Sequence, residues 1–367
     1  MKHFDRIIIG GGLYGLYATL KSVQQGYTVL LLEKENSFFT GASSINQARV
    51  HCGMHYLRAY KTAKECALYY DRFINEHREC INSSFKALYA NSALGSLTSD
   101  DDFIKIADSV CRKYTIVNPP SFIKKSAIGT CIQVMESTFD PKSLLTHYLI
   151  RINEFGDKVY SRLNEEVTSI KIIDDKIEVN NKYSTDYLLN CTYSNVNNII
   201  CLFSSDLFDI KYELCEVVLC RVPDSLNKIG LTIMDGPFCS IMPWGFSNYH
   251  TLTSVGHTPH YTCINNRPCF PCQKTRNCSS HSLNTCNNCE RPFPSKFDEM
   301  NKILMEYLSD DVKIEHYLSQ YTIKPTLKSS EEDDSRPTAI KCHFTKPYIY
   351  SILSGKISTI YELDSIL

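Results

Sequence analysis

A glycine-rich turn near the start of the chain constrains the fold more than any other feature. A short apolar run leads into Gly10, Gly12 and Gly15, which occupy the positions of a G-x-G-x-x-G motif, and a helix-forming sequence follows. The first glycine permits a tight turn, the second lets the backbone approach a pyrophosphate, and the third lets helix and strand pack closely. The free N–H groups of that helix, around Leu13 and Tyr14, would face the phosphates. The turn therefore predicts a βαβ unit that binds a dinucleotide.

A second apolar run, at residues 27–32, is predicted to form the next parallel strand, and it stops at Glu33. This is the spacing of roughly 20 residues expected for a carboxylate that binds ribose hydroxyls. Its charge would repel a 2′-phosphate, so NADP is disfavoured, and Lys34 is a further candidate at the same edge. The motif alone does not separate FAD from NAD, and a Rossmann-like unit without a ligand is the alternative.

Composition limits the other classes of protein. With 367 residues and 43% hydrophobic content, the chain can bury a large core. A formal charge of -1 and a pI near 6.8 give no electrostatic case for general nucleic-acid binding. We see no leader sequence and no apolar run near the roughly 18 residues that span a membrane. We therefore expect a cytoplasmic protein without a membrane span, in which most of the 17 cysteines are reduced.

The segment after the second strand is rich in Ser, Asn, Gln, His and Gly, a composition suited to lining a site. Here the chain resembles the FAD-dependent oxidoreductases of the D-amino-acid oxidase superfamily, including the glycine oxidase, sarcosine oxidase and L-2-hydroxyglutarate dehydrogenase branches. In those proteins a G-x-S-x-x-N loop covers the pyrophosphate and the flavin. The residues that match this loop are Gly41, Ser43, Ser44, Asn46 and Gln47. The following HCGMHY resembles the hydroxyglutarate branch, with His55 in place of a tyrosine.

Later segments extend the resemblance. Val167 resembles a strand residue whose backbone meets the adenine, and Cys191 lies in a run similar to the strand beneath the FAD. Gly355, Lys356 and Ile357 resemble the closing arm, in which a glycine turn leads into a helix beside the flavin. The resemblance implies FAD as the cofactor.

The resemblance also implies an α/β fold in which an FAD-binding Rossmann-like domain is interleaved with an antiparallel-sheet substrate domain. Residues 211–222 and 236–246 are predicted to form strands over the flavin pocket, although each is equally compatible with a plain antiparallel sheet. Residues 170–181 are predicted to form a hairpin that turns at Asp174 and Asp175. The expected FAD-binding domain comprises residues 1–80, 136–200 and 326–367, and the substrate domain comprises residues 81–135 and 205–325, with a Cys-rich insertion at about 260–295.

The Cys-rich insertion holds six cysteines within 27 residues. Two C-x2-C pairs are separated by thirteen residues, and two such pairs can complete a tetrahedral zinc site. The predicted ligands of a structural zinc are Cys269, Cys272, Cys286 and Cys289. An iron–sulfur cluster and a metal-free or disulfide-linked insertion are the alternatives, and the insertion is also a candidate protein-contact surface.

A flavin accepts a hydride from a carbon that bears an amine or a hydroxyl, so the protein must supply orientation, charge and a base. Arg336 is the candidate for binding a substrate carboxylate, because its guanidinium is a bidentate fork. His51 and His55 are candidates for a base or for stabilising charge near the flavin. We expect an enzyme that oxidises an amino acid, a secondary amine or a 2-hydroxy acid. A flavoenzyme that modifies a larger aminoacyl, sugar or nucleoside conjugate and a non-catalytic flavin-binding scaffold are the alternatives.

Overall fold

The computed structural model describes residues 1–111, 113–275, 278–289, 293–331 and 335–367. Part of the predicted Cys-rich insertion therefore lies outside the described residues. The described α-helices are Leu13–Gln24 (α1), Tyr60–Glu76 (α2), Asp100–Val110 (α3), Pro141–Asn153 (α4), Val196–Ile200 (α5) and Phe297–Met305 (α6).

The described strands follow in chain order. They are Lys2–His3 (β1), Arg6–Ile9 (β2), Val29–Leu32 (β3), Arg49–Val50 (β4), Ile81–Asn82 (β5), Lys86–Ser92 (β6), Tyr114–Ile116 (β7), Ile128–Val134 (β8), Ser137–Phe139 (β9), Val159–Arg162 (β10), Ile170–Ile173 (β11), Lys176–Val179 (β12), Tyr183–Thr185 (β13), Tyr187–Asn190 (β14), Ile210–Arg221 (β15), Ile229–Met234 (β16), Cys239–Pro243 (β17), His250–Ser254 (β18), Pro259–Ile264 (β19), Glu315–Leu327 (β20), Ala339–Thr345 (β21) and Tyr348–Leu353 (β22).

A six-stranded sheet in the order β10-β3-β2-β14-β22-β21 contains the predicted βαβ unit. All neighbours in it are parallel except β21, which runs antiparallel to β22. Its central strands β2, β3 and β14 are buried along their whole length, as expected for parallel strands covered on both faces. Helix α1 covers one face with Leu16, Leu20 and Val23 in the core. The structure therefore confirms the predicted strand, helix and second strand.

The glycine turn between β2 and α1 has the backbone that the motif predicts. Gly10 has a φ of +103°, in the region that favours glycine. A side chain at Gly15 would place its Cβ 1.8 Å from the carbonyl oxygen of Gly10. Glycine at these two positions is what lets the strand turn sharply into the helix.

A second, nine-stranded sheet faces the first across the molecule. Its order is β19-β15-β18-β17-β16-β6-β8-β7, with β20 paired to the other edge of β15. The neighbours are antiparallel except β16 and β6. Strands β15 and β17 confirm that the two predicted segments are strands, and α6 packs behind β17 and β18. One Rossmann-like sheet and one mainly antiparallel sheet confirm the predicted fold class, whereas the domain boundaries stay a prediction.

Two smaller sheets complete the described fold. Strands β11 and β12 pair as the predicted hairpin, and Asp174 and Asp175 at its turn have φ values of 49° and 61°, the left-handed values of a type I′ turn. Val167 lies in an irregular segment before β11, so the prediction of a strand there is wrong. Strands β4, β9 and β5 form a three-stranded sheet that fixes the segment after the predicted flavin loop. Within the described ranges, no helix is long and apolar enough to cross a membrane.

Candidate active site

A cavity of about 1230 Å³ lies between the two large sheets. The carboxyl ends of β2, β3 and β14 contribute Gly10, Glu33 and Cys191 to its wall, and the antiparallel sheet contributes Val217 and Thr253. Ligands of open α/β sheets bind in the crevice at this edge. The volume exceeds the roughly 300–1,000 Å³ of pockets for drug-sized ligands, so the cavity has room for a dinucleotide and a small substrate.

Glu33 is held firmly at the end of β3. One carboxylate oxygen accepts a hydrogen bond from the Gly11 N–H at 2.6 Å, and the other accepts one from the Glu35 N–H at 2.9 Å. Burial raises the pKa of Glu33, and these two donors act against the rise. The carboxylate therefore sits beside the glycine turn, where the motif places the ribose.

The predicted flavin loop uses several of its side chains to build its own shape. Ser44 Oγ donates to the Phe39 carbonyl, and Asn46 Nδ2 donates to the Ala42 carbonyl at 2.9 Å. Ser43 Oγ accepts from the Leu13 N–H at 2.9 Å and so joins the loop to the start of α1. The loop thereby becomes a fixed wall across the glycine turn.

Hydrogen bonds also join the loop to the antiparallel sheet, and α1 to the predicted closing arm at the C-terminal end of the chain. Gln47 Nε2 donates to Thr253 Oγ1 at 3.0 Å. The Tyr14 hydroxyl donates to the Lys356 carbonyl at 2.6 Å, and the 3-10 helix Ser358–Ser365 follows the arm, as predicted. Tyr14 thus ties α1 to a segment more than 300 residues away in sequence.

Most of the predicted cofactor and catalytic residues meet at this cavity. Gly15 and Ser44 do not line it: Gly15 serves the packing of α1 on β2, and Ser44 serves the loop. The predicted residues that line it are Gly10, Gly12, Leu13, Tyr14, Glu33, Lys34, Gly41, Ser43, Asn46, Gln47, His51, His55, Val167, Cys191, Arg336, Gly355, Lys356 and Ile357.

The two histidines form an aromatic cluster at one end of the cavity. The ring centroids of His51 and His55 are 4.6 Å apart, Tyr56 lies against both, and Phe238 meets His55 edge to face. Burial, followed by neighbouring positive charges that include Lys356, lowers the pKa of both imidazoles well below the usual value. Both rings are therefore neutral at physiological pH and can accept a proton. Each has a buried Nδ1 without a hydrogen-bond partner among the described residues.

A buried ion pair between Arg49 and Glu136 lies next to this histidine cluster. Arg49 Nε donates to Glu136 at 2.8 Å, and the Tyr89 hydroxyl donates to the second oxygen of Glu136 at 2.7 Å. Both side chains of the pair are almost fully buried, and His51 Nδ1 is 3.9 Å from Glu136. Arg49 Nη1 has no hydrogen-bond partner within the described ranges. The sequence did not predict a role for Glu136, because no motif near it in the chain indicates an ion pair with Arg49 on β4.

Two basic side chains, Lys356 and Arg336, line the same cavity. Lys356 Nζ lies 4.3 Å from the ring centroid of Tyr56, and no acidic side chain pairs with it in the part of the chain that the structure describes. Burial, with a smaller effect of the Arg49 charge, lowers the pKa of Lys356 to about 7. Arg336 lines the cavity from the start of the C-terminal arm, where its backbone N–H donates to Thr62 Oγ1 at 2.9 Å.

These features fit a flavin dinucleotide. The turn at Gly10 provides a backbone cradle, Glu33 lies where the motif expects a ribose, and Arg49, His51 and His55 carry buried nitrogen atoms without a hydrogen-bond partner among the described residues. The sequence profile of the DAO family, described as FAD dependent oxidoreductase, matches residues 5–322 of the chain. The chain belongs to this family. The flavoprotein is thus an FAD-dependent oxidoreductase, as predicted, rather than a non-catalytic scaffold.

Solved structures and a curated relative resemble this oxidoreductase. NikD, an unusual amino acid oxidase of nikkomycin biosynthesis, has a TM-score of 0.71 at 12% identity, with 98% of this chain and 92% of NikD covered. Glycine oxidase from Geobacillus kaustophilus has a TM-score of 0.66 at 11% identity, covering 98% and 91%.

The FAD-bound L-alpha-glycerophosphate oxidase of Mycoplasma pneumoniae has a TM-score of 0.71 at 14% identity, covering 99% and 93%. The FAD-dependent monooxygenase FPY4 of Fusarium mangiferae is 26% identical over 252 residues, which span 69% of this chain and 64% of that protein. The structural likenesses show a shared fold at low sequence identity.

The structure does not support the predicted zinc site. Cys269 is exposed, whereas Cys272 and Cys286 pack against an apolar cluster around Phe270. The first C-x2-C pair is thus divided between solvent and core. Within the described ranges, no group of three or more His, Cys, Asp or Glu side chains is arranged to hold a metal ion.

Proposed function

We propose that this flavoprotein oxidises the carbon next to a carboxylate, in an amino acid, a secondary amine or a 2-hydroxy acid. The observation that carries the proposal is the clustering of the Lys356 amine and the neutral pair His51 and His55 around Tyr56 in the wall of the cavity. When bound, FAD supplies the hydride acceptor.

Lys356 is suited to bind the substrate carboxylate. A buried ammonium group is costly without a counter-charge, and no acid of the described chain pairs with it. An anionic ligand would restore the balance and favour the charged amine. Arg336 lies on the same cavity wall and offers a bidentate fork for the same group.

One of the two imidazoles is suited to accept the proton of the substrate amine or hydroxyl. A base must be unprotonated at working pH, and burial keeps both histidines neutral. Their neighbours Tyr56 and Phe238 are aromatic and limit the access of water. The Arg49–Glu136 pair beneath them fixes the segment that carries His51.

The names of the structural neighbours agree with this substrate class in two cases and differ in one. NikD and glycine oxidase are named as oxidases of amino acids, whereas the Mycoplasma enzyme is named for a glycerophosphate. The panel of compounds in the test should therefore include substrates with and without a carboxylate.

The absorption spectrum of the purified protein, recorded under anaerobic conditions before and after each compound, tests the proposal. We expect the flavin bands to bleach with a member of a panel of amino acids, N-methyl amino acids and 2-hydroxy acids. The Lys356→Met protein should still bind the flavin, but a much higher concentration of the same compound should be required to bleach its flavin bands. The proposal would be contradicted if glycerol 3-phosphate bleached the flavin and no carboxylate did. If no compound of the panel bleached the flavin, the result would favour the alternative that the substrate is a larger conjugate.

A further inference from the structure

The Cys-rich insertion reaches the cavity at the end marked by Glu33. Residues 281–286 line the cavity, as do residues 33–35. Lys34 Nζ donates a hydrogen bond to the backbone carbonyl of Leu283. A segment from the far part of the chain thus touches the edge of the Rossmann-like sheet.

The same segment is anchored on the antiparallel sheet. Leu283 is 3% exposed and packs in an apolar cluster with Phe270, Tyr212 of β15 and Ile323 of β20. The 3-10 helix Cys286–Asn288 lies on β20, where Asn287 Oδ1 accepts a hydrogen bond from the Tyr321 N–H at 2.6 Å. The segment therefore bridges the two sides of the cavity.

The position of the bridge identifies which half of the cofactor it would face. In a G-x-G-x-x-G unit the pyrophosphate lies at the glycine turn, and the acid after the second strand lies at the adenosine ribose. Residues beside Lys34 are therefore at the adenosine end, whereas His51 and Lys356 are at the flavin end. The geometry points to residues 281–286 as a wall of the adenosine half of the FAD site, which slows the release of FAD. This inference rests on FAD lying in the cavity as the glycine turn directs.

The rate of FAD release from the holoprotein tests this role. The rise in free FAD fluorescence, after dilution of the holoprotein to a concentration at which rebinding is negligible, reports release directly. Leu283→Ala removes the apolar anchor of the segment, and we expect release to become about tenfold faster or more. Leu226→Ala is the matched control, because Leu226 is fully buried in another apolar cluster and does not line the cavity. Its release rate should stay within about twofold of wild type. Equal rates in the two variants would overturn the inference.

Thiol labelling of the wild-type protein gives a second test that needs no variant to fold. Cys286 lines the cavity, whereas Cys269 is exposed and does not. We expect removal of FAD to increase maleimide labelling of Cys286 several-fold and to leave the labelling of Cys269 unchanged. A chelator is present in both samples so that no metal protects either thiol. Equal labelling of Cys286 with and without FAD would overturn the inference. Protein that binds no flavin at all would instead refute the placement of FAD.

Discussion

We expect the lowered pKa of Lys356 to make the binding of a carboxylate at the proposed site depend on pH. A pKa of about 7 leaves the amine mostly charged at about pH 6 and mostly neutral at about pH 9. A carboxylate ligand binds the charged form, so its affinity should be highest below pH 7 and should fall as the pH rises through that value. His51 and His55 add no change in this range, because burial keeps both rings neutral.

The size of this pH effect follows from the free energy that the contact between the amine and the carboxylate contributes to binding. A hydrogen bond to a charged group contributes about 1.5–3 kcal/mol, which corresponds to about 10- to 150-fold in Kd. Binding stabilises the charged amine by the same free energy and therefore raises its pKa by about one to two units. The Kd of the wild-type protein should therefore rise about 10- to 50-fold between about pH 6 and pH 9. Lys356→Met should bind about 10- to 150-fold more weakly at low pH and should show no such dependence.

The assay is a titration of the holoprotein with isobutyrate, which has no α-amine or α-hydroxyl to oxidise, followed by the change in the flavin spectrum. Lys324→Met is the control variant: Lys324 also lines the cavity, but its Nζ lies 3.1 Å from Glu213. It should keep both the wild-type affinity and the wild-type pH dependence. A wild-type Kd that is flat across this range, or a Lys356→Met protein that keeps the dependence, would refute the reasoning.

Three further predictions follow from the same site. Glu136→Gln removes the counter-charge of buried Arg49 and should lower the free energy of unfolding by about 3–5 kcal/mol. The control is Glu79→Gln, where the exposed Glu79 carboxylate contacts His147; it should lower the free energy of unfolding by only about 0–1 kcal/mol. Similar denaturation midpoints for the two variants would contradict the idea that burial makes the Glu136 pair important. Gly15→Ala forces a Cβ into the Gly10 carbonyl and should abolish the flavin content of the purified protein. Gln24→Ala, at the exposed end of the same helix and away from the cavity, should retain flavin. With substrate saturating, kcat should keep more than about half of its value from pH 7 down to about pH 6, since both histidines titrate lower; a loss centred near pH 6.5 would show an unperturbed base.

The parts of the fold that the sequence predicted correctly are those with short-range signals. The turn at Gly10 and Gly15, the strand that ends at Glu33 and the turn at Asp174 each combine an apolar period with residues that fit a particular backbone shape. Val167 shows the limit, because an alternating pattern can also occur in an irregular segment that lines a cavity. The two C-x2-C pairs show another limit: spacing cannot tell which thiols burial will separate.

The sequence by itself determined that this protein has a glycine turn between a strand and a helix, an acid at the end of the next strand and a polar loop that carries two histidines, because the residues that specify each of these features lie close together in the chain. Only the tertiary structure decided what surrounds them. It placed Glu136 against Arg49, Lys356 beside Tyr56, and Leu283 against Lys34. These contacts join segments tens to hundreds of residues apart, and their energies come from burial and from the pairing of charges, which depend on neighbours that no local pattern specifies.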